Sequence, residues 1–408
     1  MKNRQVVDKP FSNDFHRQAL YFNSNSLGLA PKKLNHYLDE VSLSWQDFNA
    51  QGYFYGSKPW GKHFISLLEP MTKLLGAKKE EVCLMNSLSI NLHALLFSLY
   101  RPSKQRYKII MLKGFSSDAH VIKTHIRQRL HNLKEFCAYQ DLSLEEVLIE
   151  IPLNSKMCLD LDLMIKIIGI HGPKTALIWL EGVHFLSGEV LDIEFFTKLA
   201  HDEGCLIGFD LAHAVGNIPL HLHTWGVDLA VWCGYKYLCG GPGALAGIYL
   251  NEAYAANQGL DRMGGWWGQE KGLDFWDGEF IPRKDALGWQ LSCPNVFGLA
   301  AMDASLSVFN ALDLKLLYEK TMYLSNYFCD ALGYAFKGKI EILNPSNHAA
   351  QVSIKFPFQN AATRLLEKGV VCDERLGYTR FACYGLYNTL CEIDELIRIF
   401  GLLLKKEK

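Results

Sequence analysis

The sequence has almost no surplus charge: 42 lysines and arginines stand against 43 aspartates and glutamates, a formal net charge of −1. A general nucleic-acid binder needs a basic face, so this balance argues against that class. No stretch approaches the roughly 18 uninterrupted apolar residues of a membrane span, so no membrane partner is expected. The opening, MKNRQVVDKPFSNDFH, holds no apolar core, and no secretory signal is expected in it. The 11 cysteines are odd in number and include no C-x-x-C pair, which suggests neither a zinc site nor a disulfide framework. Cys83, Cys205 and Cys233 sit in apolar runs, where a reduced thiol is a small core residue; a cytoplasmic location is expected. Internal repeats, low-complexity tracts and long linkers are also missing.

What is present is alternation. Apolar strand-like runs at residues 108–112, 175–180, 205–209, 229–233 and 244–250 alternate with amphipathic helical patterns such as 192–201. Short runs apolar on both faces belong to a largely parallel sheet, and their alternation with helices predicts an α/β fold with helices flanking it. Before them, a Gly-Leu-Ala-Pro turn at residues 28–31 leads into a helical pattern with Leu34, Tyr37, Leu38, Val41 and Trp45, Pro31 falling in its first turn. After a helix at 296–312 the character changes. A helix at 316–332, an alternating strand at 351–356, a helix at 361–368, a strand at 369–372 and a terminal helix from Glu392 describe a small α+β domain. The expected division is an N-terminal segment (1–55), a large domain (56–310) and a small C-terminal domain (311–408).

The chemistry-bearing residues lie at the ends of the runs. Asp210 closes one, and the next ends just before Tyr235-Lys236; the turn Gly240-Gly241-Pro242-Gly243 then leads into a third. Ligands bind at the carboxyl ends of such strands, so Asp210 and Lys236 are expected to face one crevice. A lysine that forms a Schiff base with pyridoxal phosphate (PLP), with an acid for the pyridinium nitrogen, is that cofactor's protein signature. His213, three residues after Asp210, adds a side chain to support the ring. A salt-bridged lysine beside a capping aspartate is the plainer reading, and the strand context and glycine turn weigh against it. For the phosphate, MNSLSINLH (residues 85–93) sets two serines and an asparagine before the apolar helix pattern Leu92, Leu95, Leu96, Leu99. A plain N-cap fits that segment equally well. Phe115, just beyond the 108–112 strand, is either a ring-stacking residue or a core aromatic.

Taken together these segments resemble the kynureninases, fold-type I PLP enzymes of the aminotransferase class V group, nearly end to end. The likeness rests on Asn25-Ser26-Leu27-Gly28-Leu29, Gly56-Ser57-Lys58-Pro59-Trp60, MNSLSINLH and Gly182-Val183-His184-Phe185. It continues through GFDLAHAVGN (208–217), WGVDLAVWCGYKYL (225–238), Gly265-Trp266-Trp267-Gly268, GVVCDER (369–375) and Gly385-Leu386-Tyr387-Asn388. The resemblance implies that Lys236 is the Schiff-base lysine, Asp210 the partner of the pyridinium and His213 its neighbour. Leu88, Ser89, Tyr235 and Trp266 would meet the phosphate, Trp266 from across a homodimer interface that the N-terminal segment also joins. Phe115 would cover the ring, Asp118 would belong to the same cofactor-binding segment, and Tyr235 would shuttle protons. Arg380 would clamp the substrate carboxylate, with Tyr53, Ser292 and Cys293 on the aryl side.

The implied reaction is hydrolytic Cβ–Cγ cleavage of L-kynurenine or 3-hydroxy-L-kynurenine, giving L-alanine and anthranilate or 3-hydroxyanthranilate, in tryptophan breakdown or NAD precursor supply. Three positions depart from the family pattern. Glu181 replaces a serine, Cys293 replaces an asparagine of the animal enzymes, and Tyr53 aligns with a histidine. Glu181 is expected to point away, be protonated, or bind a substrate amine. Alternatives are a paralogue acting on a different γ-keto amino acid, and a cysteine desulfurase or selenocysteine lyase using Cys293. A catalytically silent PLP-binding protein is disfavoured, because Lys236, Asp210 and Arg380 are all retained.

Overall fold

A computed structural model describes residues 19–136, 142–270 and 278–406; the opening sixteen residues lie outside these. Seven strands form the central sheet, in the order β2-β8-β7-β6-β5-β3-β4. They are β2 (Val82–Met85), β3 (Lys108–Leu112), β4 (Leu148–Ile151), β5 (Thr175–Glu181), β6 (Leu206–Asp210), β7 (Leu229–Trp232) and β8 (Ala246–Leu250), with β1 (Leu20–Tyr21) standing apart. Strands β5, β6 and β7 are apolar and buried almost throughout, as expected of strands covered on both faces. Only β8 runs against its neighbours β2 and β7; the remaining pairs are parallel. Reversal at both sides of β8 leaves β2 pointing the same way as β7. The carboxyl ends of six strands therefore lie along one edge of the sheet.

The crossover helices follow from local signals. Asp192 caps Ile193–Asp202 by accepting from the Phe195 N–H at 2.9 Å, and Asn295 caps Val296–Asn310 through the Gly298 N–H. Ile193–Asp202 packs on β6, Val296–Asn310 packs on neighbouring helices, and Trp179, Trp232 and Trp289 are buried at 1% exposure or less. Each such side chain contributes roughly 1.5–3 kcal/mol of transfer free energy.

A second core lies in the C-terminal part, where β9 (Glu341–Ile342), β10 (Gln351–Lys355), β12 (Asp373–Arg375) and β13 (Tyr378–Ala382) make an antiparallel sheet in the order β12-β13-β10-β9. Helices Leu314–Phe336 and Leu390–Lys406 pack on it. The strand expected around 369–372 is β11 (Val370–Val371), and it pairs in parallel with β1 rather than joining that sheet. This carries Phe22 into the second core beside Phe328, Phe381 and Phe400.

Two local expectations are corrected. Pro31 lies three residues ahead of the helix Leu34–Phe48, in the turn whose carbonyl accepts from Leu34 N. And β10 is buried at four successive positions, not at alternate ones. Its polar Gln351 and Ser353 donate into the large domain: Gln351 Nε2 to the carbonyls of Phe185 and Leu186 at 3.0 Å, and Ser353 Oγ to that of Leu186 at 2.5 Å. Among the described residues no single helix is long and apolar enough to cross a membrane.

Candidate active site

Each strand end on the shared edge contributes a residue. Asp210 and Glu181 end β6 and β5 and are register partners. Phe115 follows β3, the serine segment follows β2, and Lys236 follows β7. The Lys236 Nζ lies 5.8 Å from the Phe115 ring centroid and 6.0 Å from that of Tyr235. Phe115 is 43% exposed, so it is an open ring face at this edge and not a core aromatic. No hydrogen bond or ion pair among the described residues engages the Lys236 ammonium. Its loop is packed from behind by Gly28, whose N–H donates to the Tyr235 carbonyl at 2.8 Å. A Cβ there would stand 2.3 Å from the Lys236 carbonyl oxygen, so only glycine allows this approach.

The helix Leu88–Leu99 begins after Ser87, which has extended backbone but makes no side-chain cap. The plain N-cap reading of this segment is therefore not what the chain does. The first-turn N–H groups stay available, and an anion is their natural partner. Ser89 Oγ meets Ser117 Oγ at 2.9 Å, Ser117 coming from the first turn of the helix Ser116–Phe136. Two helix beginnings thus converge on one pair of hydroxyls. Ser117 was not among the sequence candidates, although its neighbours were.

Three carboxyls surround the lysine. Burial, then the charge of Asp210, holds the Asp118 carboxyl well above the usual carboxylate range. Asp210 is also raised by burial, against the pull of Lys236, of the Ala212 N–H at 2.7 Å and of a hydrogen bond to Asp118. Asp118 also accepts from Trp179 Nε1 at 2.8 Å. Glu181 is pushed up to about 7 by burial and by Asp210. Burial, aided by Lys236, drives His213 well below its ordinary value against the opposing pull of a hydrogen bond with Gln351, so its ring is neutral. The Tyr235 hydroxyl is raised by burial and by Cys233.

Arg380 lies in the middle of β13, facing Asp373 of β12 in register. It is 4% exposed, not the surface charge its sequence context alone suggests. Its Nε donates to Asp373 Oδ1 at 2.8 Å, its Nη2 to Asp373 Oδ2 and, at 3.3 Å, to Ser26 Oγ, and its Nη1 to the Phe185 carbonyl at 2.7 Å. Asp373 and Ser26 were missed as site residues. Both stand in motifs that carry the family resemblance, which is the signal that points to them.

The aryl-side candidates gather elsewhere, on an aromatic rim. Tyr53 packs edge-on to Trp60 at 5.3 Å and against Trp267 at 6.4 Å. Trp266 Nε1 donates to Ser292 Oγ at 3.3 Å, and Trp266 packs against Trp267 at 4.7 Å. Cys293 is half-buried, its thiol raised by burial against a hydrogen bond from Tyr53. A nearby cavity of about 440 Å³ is lined by Val41, Trp45, Tyr53, Trp60 and Phe297.

Comparison with known proteins agrees with this geometry. The aminotransferase class-V family model matches residues 135–375. Fold and site together define a protein of that class. Kynureninase of Myxococcus xanthus is 36% identical over 94% of this chain and 89% of its own length. Kynureninase of Flavobacterium psychrophilum is 36% identical over 98% and 94%. The chain belongs to the kynureninase family. Among solved structures, a cysteine desulfurase from Thermococcus onnurineus has a TM-score of 0.76 at 17% identity, covering 99% of this chain and 98% of that one. A C-DES mutant with glycine covalently linked to its PLP cofactor has a TM-score of 0.76 at 14% identity, over 94% and 96%. At such identity these two speak for the fold alone.

Proposed function

We propose that this protein is a PLP-dependent hydrolase that cleaves the Cβ–Cγ bond of L-kynurenine or its 3-hydroxy form. The observation that carries the reading is the unpaired Lys236 amine set with buried Asp210 at one sheet edge, in a chain of this family. The residues fit the cofactor. The uncapped helix start at Leu88, with the hydroxyls of Ser89 and Ser117, suits a phosphate. Asp210 would partner a pyridinium N–H, and neutral, buried His213 would support the ring. Phe115 would cover the ring, and Tyr235 and Trp266 would add contacts to the phosphate.

Bound PLP supplies an electron sink for the charge that develops at the substrate Cα. Lys236 Nζ takes the Cα proton as general base. Asp210, fixed by the Ala212 N–H at 2.7 Å, would partner the positive charge of the pyridinium. Arg380 meets the substrate carboxylate with charge-assisted hydrogen bonds. Tyr235 moves a proton near the phosphate; its raised hydroxyl keeps it a donor. A water adds to the γ-carbonyl, the Cβ–Cγ bond breaks, and L-alanine and anthranilate or 3-hydroxyanthranilate leave.

The same reading divides the chain into segment 1–55, large domain 56–310 and small domain 311–408, and makes it a cytoplasmic homodimer serving tryptophan breakdown or NAD precursor supply. In that dimer Trp266 reaches the partner's site; the exposed Trp45, Phe54, Tyr55, Trp266 and Phe297 support an aromatic face that a second copy covers. The substrate-side roles of Tyr53, Ser292 and Cys293 belong to this proposal as well.

The test is to give purified, PLP-loaded protein both substrates and follow alanine with the aromatic acid. Release of either acid supports the reading and ranks the two. A yellow protein that cleaves neither overturns the substrate assignment. Lys236→Ala is expected to lose the yellow absorbance and about 10²–10⁴-fold or more in turnover, the contribution of a positioned base; retained turnover would sink the lysine assignment.

A further inference from the structure

We infer that Glu181 is a positioning residue whose carboxylate ties the Phe115 loop to the Phe185 loop and, through Phe185, sets Arg380 relative to the cofactor. The Arg380 end of this inference rests on the function proposed above.

Glu181 is 5% exposed, yet it is not an unpaired charge. Its Oε1 accepts from the Phe115 N–H at 2.5 Å and its Oε2 from the Phe185 N–H at 2.8 Å. The two donors come from different loops, one after β3 and one after β5. The rings of the same residues meet edge-on, 5.6 Å apart. On its other side the Phe185 peptide is gripped by its carbonyl, which accepts from Arg380 Nη1 at 2.7 Å and Gln351 Nε2 at 3.0 Å. A single residue, Phe185, is thus held by Glu181 at its N–H and by the arginine at its carbonyl. The path from the ring face of Phe115 to the guanidinium is hydrogen-bonded at every step.

The chemistry of the side chain explains why an acid stands here. An ionised carboxylate is acceptor-only and can take two N–H donors on two oxygens. An amide cannot: its NH₂ would face one of the peptide donors. Burying a carboxylate beside Asp210 is costly without such partners. The backbone is also shaped for it, because a Cβ on Gly114 would stand 1.9 Å from Glu181 Oε1. Both oxygens are turned to protein donors, so Glu181 does not point away from the site's loops, which sets aside one of the sequence expectations.

The experiment uses the PLP-loaded protein at pH 8, above the raised Glu181 value so that the clamp is ionised, and two substitutions that break it from opposite sides, Glu181→Gln and Gly114→Ala. PLP affinity is measured by equilibrium dialysis, and affinity for L-alanine by the change it causes in cofactor absorbance. Both variants are expected to weaken PLP and L-alanine together, each by about tenfold or more, as loss of a charge-assisted bond predicts. Glu181→Asp, which keeps both acceptors, is expected to recover part of each, a pattern that mere loosening of the fold does not produce. If Glu181→Gln fails to fold, Gly114→Ala and Glu181→Asp carry the same comparison. L-alanine affinity within about twofold of the parent in the folded variants overturns the inference, since a lost charged bond is worth more than that. So does weakened PLP binding with L-alanine untouched. Because neither ligand is kynurenine, a parent enzyme that cleaves no kynurenine overturns the functional proposal while this coupling can still be read.

Discussion

The sheet edge around Lys236 and the aromatic rim around Tyr53 satisfy their polar groups in opposite ways. At the edge, Asp118, Asp210, Glu181 and Asp373 are buried or nearly so, and each accepts from a backbone N–H or a fixed side-chain donor at 2.5–2.8 Å. At the rim the one hydrogen bond between candidate side chains with a stated length, Trp266 to Ser292, is 3.3 Å, and the contacts are mostly ring against ring. Trp266 itself is 38% exposed. The contrast has a physical reason. A charge displaced in a low-dielectric site loses its effect on a neighbouring pKa, so it must be held from several sides. An aromatic surface needs only shape and area to recognise a ring, and it can be completed by a second chain.

The strongest way to break this comparison is to remove the arginine from its carboxylate. Burial pushes the Asp373 carboxyl up, and Arg380 with Ser26 pulls it below the usual range. Arg380→Ala strands that charge among Ser26 and Asn25. Urea unfolding of the variant is expected to show a loss of about 3–5 kcal/mol, the cost of orphaning one partner of a buried pair. A loss below about 1 kcal/mol, the range of exposed pairs, would mean that the edge is no more tightly held than a surface.

How much of this could be read from the chain depended on where each constraint resides. Strands β5, β6 and β7 were legible because burial on both faces forces continuous apolar runs, and Asp210 and Lys236 were legible because they interrupt those runs. Strands β2 and β4 went unread: each has four residues, and β4 is an edge strand with Glu150 in its middle. The Arg380–Asp373 pair was hidden because it depends on cross-strand register, fixed by a tight turn in which Leu376 and Gly377 both have positive φ. Glu181 was conspicuous as a departure, but its partners are peptide N–H groups, which have no letter in the sequence. The empty cap at Ser87 is likewise a backbone fact. Sequence patterning therefore exposes residues that break a burial rule, and hides those whose partners are main chain.

A middle-sized effect separates the two regions by pH. Burial raises the Glu181 carboxyl from an ordinary 4.5 to about 7 in the folded chain. Between those values the folded state holds more protons than the unfolded one, so stability from this group is full below pH 4.5 and is lost as pH rises through 7. The loss amounts to about 3 kcal/mol. The unfolding free energy of the parent, measured without PLP from pH 5 to pH 8, is expected to fall relative to Glu181→Gln by nearly that amount. Parallel curves for the two proteins would show that the carboxyl is not perturbed by its burial, and that the edge does not differ electrostatically from the rim.

The smallest effect is expected at Cys293, and it sharpens the comparison from the other side. A thiol that accepts sulfur in a desulfurase must be available as thiolate, which requires a lowered pKa. Here burial raises the Cys293 thiol, Tyr53 only partly opposes that, and Sγ donates to the Pro294 carbonyl at 3.4 Å. A serine hydroxyl can make the same donation. Cys293→Ser is therefore expected to change kynurenine turnover by less than about twofold and stability by about 0.5 kcal/mol or less, the usual range for a substitution away from a buried network. Steady-state rates of anthranilate release and a thermal melt measure both. A collapse of turnover in the folded variant would place Cys293 in the chemistry and reopen the desulfurase reading. A near-silent substitution would show that the rim tolerates exchange where the edge does not, so that its departures from the family pattern need not change the reaction.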